Sequence, residues 1–246
     1  MKITADPKKL RSMLESMFLP KVNPVFNPII LKCVEEGITS VGIDLNSFLY
    51  YHFYSKSYFK EYTDIDTEPF AISYIFLDRL KWGFKGDDIL IKKDGNKLSL
   101  DDKKDHYDRE TDNFEEPKVK LQIEQQDYGF APKGTNLDTA VVIDVAELKF
   151  PKADVYKFKM TKSGLTLIIP GEGNFSRQLE CKEILGKKGI EESFPSDSFD
   201  NIVSHISGEV TLIFANEDAL IPTGTLIINE KTDEYTKTYI LSPHVK

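Results

Sequence analysis

Residues 191–228 read EESFPSDSFDNIVSHISGEVTLIFANEDALIPTGTLII and contain one complete structural unit. EESFP predicts a short strand, and residues 196–207 predict a helix that Ser196 caps and Gly208 ends. EVTLIFA and GTLII are rich in β-branched and aromatic residues and predict two further strands. The helix has one apolar stripe: Phe199, Ile202, Val203 and Ile206.

The same order of strand, helix, strand, tight turn and strand occurs in three earlier stretches, at residues 2–43, 70–100 and 139–169. In these copies the turn reads EEG, KDG or KSG, where glycine supplies the positive φ that a hairpin needs. One such unit cannot bury its apolar face alone, so repetition predicts units that pack together. The alternative is chance self-similarity in a β-rich chain.

The copies pair into two similar domains, which predicts an α+β fold with helices on one face of curved antiparallel sheets. We expect a first domain at residues 1–112, a connector at 113–134 and a second domain at 135–246. Residues 6–19 predict the first helix, with Asp6 as its cap and Pro7 at its first position. Residues 76–83 predict a short helix, and the connector is expected to carry a strand with the apolar alternation Val119, Leu121 and Ile123. The first helix has an apolar stripe: Leu10, Met13, Leu14, Met17 and Phe18.

The composition limits the possible classes of protein. No apolar run approaches the roughly 20 residues that cross a membrane, and the N-terminus lacks the apolar stretch of a secretion signal. Cys33 and Cys181 are therefore expected to be reduced, in a cytoplasmic or nuclear protein that is not secreted. The net charge of −8 is uneven: residues 101–116 alone carry eight acids and three bases, and we expect them to form an exposed loop.

No group of residues has the spacing of a catalytic or metal site. The four histidines are scattered, and there is no HExxH pattern and no cysteine pair at zinc spacing. The glycine-containing stretch PGEGNFS, residues 170–176, lacks the lysine of a phosphate loop and predicts a turn. We therefore expect a protein that is not an enzyme and that has no cofactor.

Basic side chains on the predicted helices are the remaining chemical signal. Lys8, Lys9 and Arg11 share the polar face of the first helix, and Arg79 and Lys81 lie on the second. If the helices share one side of a sheet, these bases form a stripe that contacts DNA phosphates without reading bases. The alternative is that they are ordinary solvated surface residues.

Several stretches of this chain resemble sliding clamps of the proliferating cell nuclear antigen (PCNA) family. They are LRSMLESM at 10–17, EEGITSVGIDLNSF at 35–48, FLDRLKWGFKGDDILI at 76–91 and the ending YILSPHV at 239–245. The resemblance covers nearly the whole chain. It implies a closed ring that encircles duplex DNA. Such rings are usually homotrimers, and this chain would form a homotrimer or be one subunit of a heterotrimer. Such a ring serves a DNA polymerase as processivity factor and also binds a clamp loader and other enzymes.

The resemblance also implies a pocket for a partner peptide whose motif has a glutamine and two aromatic residues. Its residues here would come from the first domain, the connector and the last strand: Ile43, Asp44, Leu45, Phe48, Tyr128, Phe130, Pro132, Ile240, Leu241 and Ser242.

The second domain departs from the family pattern. Only AELKF stands where a full helix is expected, and the last helix carries two aspartates and no base. Lys149 and Lys152 are then the only candidates for DNA contact in that domain. Two other functions remain open: a clamp-fold protein that captures peptides without encircling DNA, and an unrelated β-rich structural protein.

Overall fold

The computed structural model describes residues 1–17, 29–43, 48–72, 78, 80, 88–111, 122–171, 175–186 and 188–244. The chain divides into two compact units. Unit 1 comprises Met1–Asp44, Tyr51–Lys118 and Thr232–Tyr235. Unit 2 comprises Leu45–Tyr50, Val119–Lys231 and Thr236–Lys246.

The strands of unit 1 belong to two mostly antiparallel sheets. They are β1 (Lys2–Ala5), β2 (Ile29–Val34), β3 (Gly37–Ile43), β4 (Phe48–Ser55), β5 (Glu61–Thr63), β6 (Phe70–Ile72), β7 (Ile89–Asp94), β8 (Lys97–Asp101) and β9 (His106–Glu110). One sheet has the order β5-β1-β7-β8-β9, and the other contains the order β4-β3-β2-β6. A 3-10 helix spans Lys56–Tyr58.

Helix α1 (Pro7–Ser16) starts where the sequence predicts. The Asp6 carboxylate accepts hydrogen bonds from the N–H groups of Lys8 at 2.8 Å and Lys9 at 3.0 Å, which satisfies two of the free donors at the helix start. Leu10, Met13, Leu14 and Met17 of the predicted stripe are buried, and Phe18 lies outside the described residues. Side chains of this stripe and residues from both sheets of unit 1 line an apolar void of about 20 Å³, so α1 packs against both sheets.

The strands of unit 2 form three groups. They are β10 (Ile123–Gln126), β11 (Gly129–Pro132), β12 (Ala140–Asp144), β13 (Val155–Thr161), β14 (Gly164–Ile169), β15 (Phe175–Gln178), β16 (Cys181–Ile184), β17 (Ile190–Pro195), β18 (Glu209–Phe214), β19 (Leu226–Lys231) and β20 (Tyr235–Leu241). Strands β10 and β11 form a hairpin, a four-stranded sheet has the order β15-β14-β13-β17, and a further sheet contains the order β16-β12-β18-β19-β20.

Helix α2 (Ser196–Val203) is shorter than the helix predicted at residues 196–207. It buries Phe199, Ile202 and Val203, and Ile206 of the predicted stripe is buried beyond the end of the helix. The N-terminal cap also differs from the prediction. Pro195 occupies the cap position, and the Ser196 hydroxyl donates instead to the carbonyl oxygen of Ala153. The prediction that Ser196 caps the helix was wrong, because its hydroxyl forms a hydrogen bond with a carbonyl group that is distant in sequence. In place of a full helix, the AELKF segment forms a 3-10 helix at Val145–Leu148.

Aromatic side chains connect the AELKF segment to α2. The ring of Phe150 stacks on Phe199 with centroids 5.8 Å apart, and Tyr156 and Phe158 complete the cluster. The Tyr156 hydroxyl donates to the Asp200 carboxylate at 3.1 Å. The AELKF segment therefore packs against α2 through Phe150, which follows the 3-10 helix.

Strand pairing confirms the fourfold repeat. In unit 1, β1 pairs with β7 and β2 pairs with β6. In unit 2, the equivalent strands β12 and β18 pair, and so do β13 and β17. In each unit, the first strand of one copy thus pairs with the second strand of the other copy. The repeat is therefore present in the structure and is not a coincidence of β-rich sequence.

Two sequence expectations need revision. The sequence predicts an exposed loop at residues 106–110, but they form β9, because all five pair with β8, from His106 opposite Asp101 to Glu110 opposite Lys97. The connector strand was expected to use Val119, Leu121 and Ile123. Ile123 begins β10, and the other two lie outside the described residues. Of the helix predicted at 76–83, only residues 78 and 80 are described, and both are helical.

Candidate partner-binding site

The described part of the predicted connector, residues 122–134, contains the β10–β11 hairpin, whose turn is Asp127–Tyr128. The strands pair in register from Ile123 opposite Pro132 to Gln126 opposite Gly129. Gly129 has a φ of +135°, a value that side chains with a Cβ rarely adopt. A glycine directly after the turn therefore permits this hairpin.

Polar side chains of β19 and β20 hold the hairpin on unit 2. The buried Thr238 hydroxyl donates to the Asn229 side-chain oxygen at 2.6 Å and lies 3.4 Å from the carbonyl oxygen of Phe130. The Lys231 ammonium donates to the carbonyl oxygen of Asp127 at 2.6 Å. A Cβ on Gly129 would lie 2.7 Å from Cγ of Asn229, so the close contact also requires glycine.

An apolar patch lies where the hairpin packs on the sheet. Its buried members are Ala131, Ala140, Ile213, Ile227 and Ile240. Its partly buried members are Leu49, Ile123, Leu137, Leu185 and Ile221. The partly buried members still have apolar surface to offer a ligand, and the buried ones support them.

The structure locates most of the pocket residues that the resemblance implies. Tyr128 and Phe130 are half-buried, Pro132 is buried and Ser242 is exposed. Ile43 is half-buried at the end of β3 in unit 1. Asp44, Leu45 and the side chain of Phe48 lie outside the described residues.

The last strand contributes mainly to the core. Ile240 is 6% exposed and belongs to the apolar patch, whereas Leu241 has no exposed surface and pairs with Leu226. Leu241 therefore lies in the interior of unit 2, where it offers no surface to a peptide. Sequence reasoning missed Leu137, Leu185 and Ile221, since their place in the patch depends on how distant segments meet.

The bases predicted to face DNA differ in their availability. Lys8 is exposed, but the Lys9 ammonium lies 2.7 Å from the Glu234 carboxylate and 5.0 Å from the ring centroid of Tyr58. The half-buried Arg11 guanidinium donates to the carbonyl oxygen of Leu80 at 2.8 Å. Arg79 and Lys81 lie outside the described residues.

The corresponding surface of unit 2 is poorly basic. Lys149 and Lys152 are exposed, and α2 presents the exposed Asp197. Burial raises the pKa of Asp200 on the same helix, and the Tyr156 hydroxyl opposes this shift.

Within the described part of the chain, no three His, Cys, Asp or Glu side chains are grouped so as to hold a metal ion. Among the same residues, no helix is long and apolar enough to span a membrane.

Comparisons with known proteins identify the fold. No family model matches the sequence, and no curated protein matches it. A solved structure of A. fulgidus PCNA with the C-terminal region of FEN-1 bound is 14% identical, with a TM-score of 0.73 over 100% of this chain and 98% of that chain. PCNA from Entamoeba histolytica is 15% identical, with a TM-score of 0.74 over 99% of this chain and 98% of that one. The chain therefore has the fold of the PCNA sliding clamps.

Proposed function

We propose that this protein is a DNA sliding clamp that encircles duplex DNA and tethers replication and repair enzymes to it. The observation that carries the proposal is the sliding-clamp fold over the full chain. The partners would be a DNA polymerase, a clamp loader and other proteins with a clamp-binding peptide, in the cytoplasm or nucleus where the DNA lies.

We further propose the apolar patch under the connector hairpin as the peptide site. In the similar A. fulgidus structure, PCNA binds the C-terminal region of FEN-1. Here Ile123, Leu137 and Ile221 offer partly buried apolar surface. Such a surface suits aromatic anchors of a short peptide. The remaining implied residues, Ile43, Asp44, Leu45 and Phe48, stay predictions.

Ring closure would use edge strands. Strand β9 is an edge of the five-stranded sheet, and β15 is an edge of the four-stranded sheet with all its residues exposed. Phe175 on β15 is 44% exposed, and Ile184 on the edge strand β16 is 39% exposed. Exposed edges with apolar side chains favour pairing with another chain, so we propose that β9 of one copy joins β15 of the next.

The decisive experiment is topological retention on DNA. The protein is loaded on nicked circular DNA with its clamp loader, and retention is compared after the circle is linearised. We expect retention on the circle and release from linear DNA, together with a trimer-sized mass in solution. A single-copy mass with equal retention on both DNA forms would refute the proposal.

A second candidate is a clamp-fold protein that captures partner peptides without encircling DNA. The poorly basic surface of unit 2 favours it, and so does Arg11, whose guanidinium donates to the carbonyl oxygen of Leu80. Peptide binding without any salt-sensitive DNA binding would select this candidate, since phosphate contacts release counterions and weaken steeply with salt.

A further inference from the structure

Lys9 on helix α1 binds a carboxylate that is 225 residues away in sequence. Its ammonium donates to both carboxylate oxygens of Glu234, each at 2.7 Å. Glu234 lies in the turn between β19 and β20, and this turn belongs to unit 1. A DNA phosphate presents the same kind of anionic oxygens to a lysine. The carboxylate therefore occupies the position that a phosphate would take on Lys9.

The turn is anchored so that Glu234 stays opposite Lys9. The carbonyl oxygen of Glu234 accepts a hydrogen bond from the N–H of Ser55, at the end of β4, at 2.8 Å. The N–H of Glu234 donates to the Thr232 hydroxyl at 3.2 Å. Because the backbone on both sides of the carboxylate is already ordered, forming the ion pair costs less conformational entropy.

Three tyrosine rings join the two sides of the ion pair. Tyr235, next to Glu234, has its ring centroid 5.6 Å from that of Tyr54 and 5.9 Å from that of Tyr58. The Tyr58 hydroxyl donates to the carbonyl oxygen of Lys9 at 2.7 Å, and its ring centroid lies 5.0 Å from the Lys9 ammonium. Tyr54 and Tyr58 are buried. The contact is thus built on a packed frame, unlike an isolated pair of surface side chains.

The other charges around the pair are mixed. The Asp6 carboxylate caps α1, and Lys60 forms an ion pair with Asp88. The other exposed charges on α1, on the 3-10 helix and on the turn are Lys8, Lys56 and Asp233. With two bases and one acid exposed beside it, Lys9 lies in a field that attracts a phosphate once Glu234 is displaced.

We infer that Glu234 competes with DNA phosphates for Lys9 and so weakens the contact between α1 and duplex DNA. Each phosphate that reaches Lys9 then exchanges one anion for another, which keeps the clamp from holding any one position on the duplex tightly. This inference rests on the proposed clamp function and assigns Glu234 as a residue that tunes the affinity for DNA.

Glu234→Gln tests the inference by fluorescence anisotropy with a labelled DNA duplex. At low salt the variant should bind about two- to fivefold more tightly than wild type, because no ion pair has to be broken. High salt should remove the difference, since exposed charges are screened. Asp233→Asn is the matched control: it removes the same charge from the neighbouring residue of the same turn and should have little effect.

A double variant identifies Lys9 as the group for which the two anions compete. In a Lys9→Gln background, Glu234→Gln should no longer change the affinity for the duplex, because the two side chains act through one contact. All variants should keep the circular dichroism spectrum of wild type.

The outcomes keep this inference apart from the proposed function. If wild type binds the duplex and Glu234→Gln has no effect, or the same effect as Asp233→Asn, the competition is refuted and the proposed function stands. An effect of Glu234→Gln that persists without Lys9 refutes it in the same way. If none of the proteins binds the duplex, the inference is refuted, and retention on circular DNA decides the proposed function separately.

Discussion

Replacing Gly129 with alanine should release the connector hairpin from unit 2. Gly129 has a φ of +135°, and its Cβ would lie 2.7 Å from Cγ and 3.0 Å from Nδ2 of Asn229. Asn229 is 1% exposed and accepts the hydrogen bond from Thr238 at 2.6 Å. A shift of the Asn229 side chain away from an added Cβ would therefore disturb that bond.

The expected cost can be built from two parts. Backbone strain at a positive φ costs about 1–3 kcal/mol for a residue other than glycine. Loss of the buried Asn229–Thr238 hydrogen bond adds about 0.5–1.5 kcal/mol, so the variant should lose about 2–4 kcal/mol. Gly208 in the same unit is a matched control: its φ is +66° and a Cβ there would meet no atom within 4 Å. Gly208→Ala should cost only about 1 kcal/mol.

Urea unfolding and native-state hydrogen exchange measure the effect. Gly129→Ala should lower the free energy of unfolding of unit 2 more than Gly208→Ala does. It should also speed exchange of the amides of residues 123–132 selectively. Equal losses in the two variants, or unchanged exchange in the hairpin, would show that the Gly129–Asn229 contact does not hold the connector.

Three other changes have defined outcomes. Lys237→Met should cost about 3–5 kcal/mol in urea unfolding, because it leaves the Glu230 carboxylate buried without the ammonium 2.9 Å away; the double variant with Glu230→Leu should recover most of this. Phe175→Asp on the edge strand β15 should reduce the mass in light scattering to the 28.1 kDa single copy with an unchanged circular dichroism spectrum. Asp6→Ala should cost about 1 kcal/mol. The hydrogen bond from Lys9 N–H lowers the pKa of Asp6, so its contribution is complete above the usual 3.8 and disappears as the pH falls through the lowered value. As the pH falls through this range, the free energy of unfolding of Asp6→Ala should therefore decrease less than that of the wild type.

Local signals predicted much of the fold. The cap and first position of α1, its buried stripe, and the four copies of the strand–helix–strand–strand unit were all readable from spacing and turn residues. These features depend on neighbours within a few residues. For that reason they agree with the structure although no family model matches the sequence.

The features that sequence reasoning missed depend on distant segments. The sequence of β9 alone is typical of an acidic loop, and its strand conformation depends on pairing with β8. Ser196 looks like a cap until the carbonyl oxygen of Ala153 takes its hydroxyl. Ile221 appears to belong to an ordinary loop, and only the meeting of β12, β18 and the hairpin places it on the apolar patch.

The electrostatics of α1 show why partner contacts are the harder part to predict. The sequence places Lys9 on a free polar face, but the fold supplies Glu234 as its counterion. The Lys9 and Glu234 side chains are 44% and 40% exposed. An exposed ion pair of this kind contributes only about 0–1 kcal/mol to stability. A DNA phosphate can therefore replace Glu234 at small cost, and the ion pair does not argue against a clamp. Arg11 differs, because its half-buried guanidinium donates to a backbone carbonyl that cannot turn away. In the proposed clamp we therefore expect Lys8 and Lys9 to be the residues of α1 that contact DNA, while Arg11 binds the carbonyl oxygen of Leu80 within unit 1.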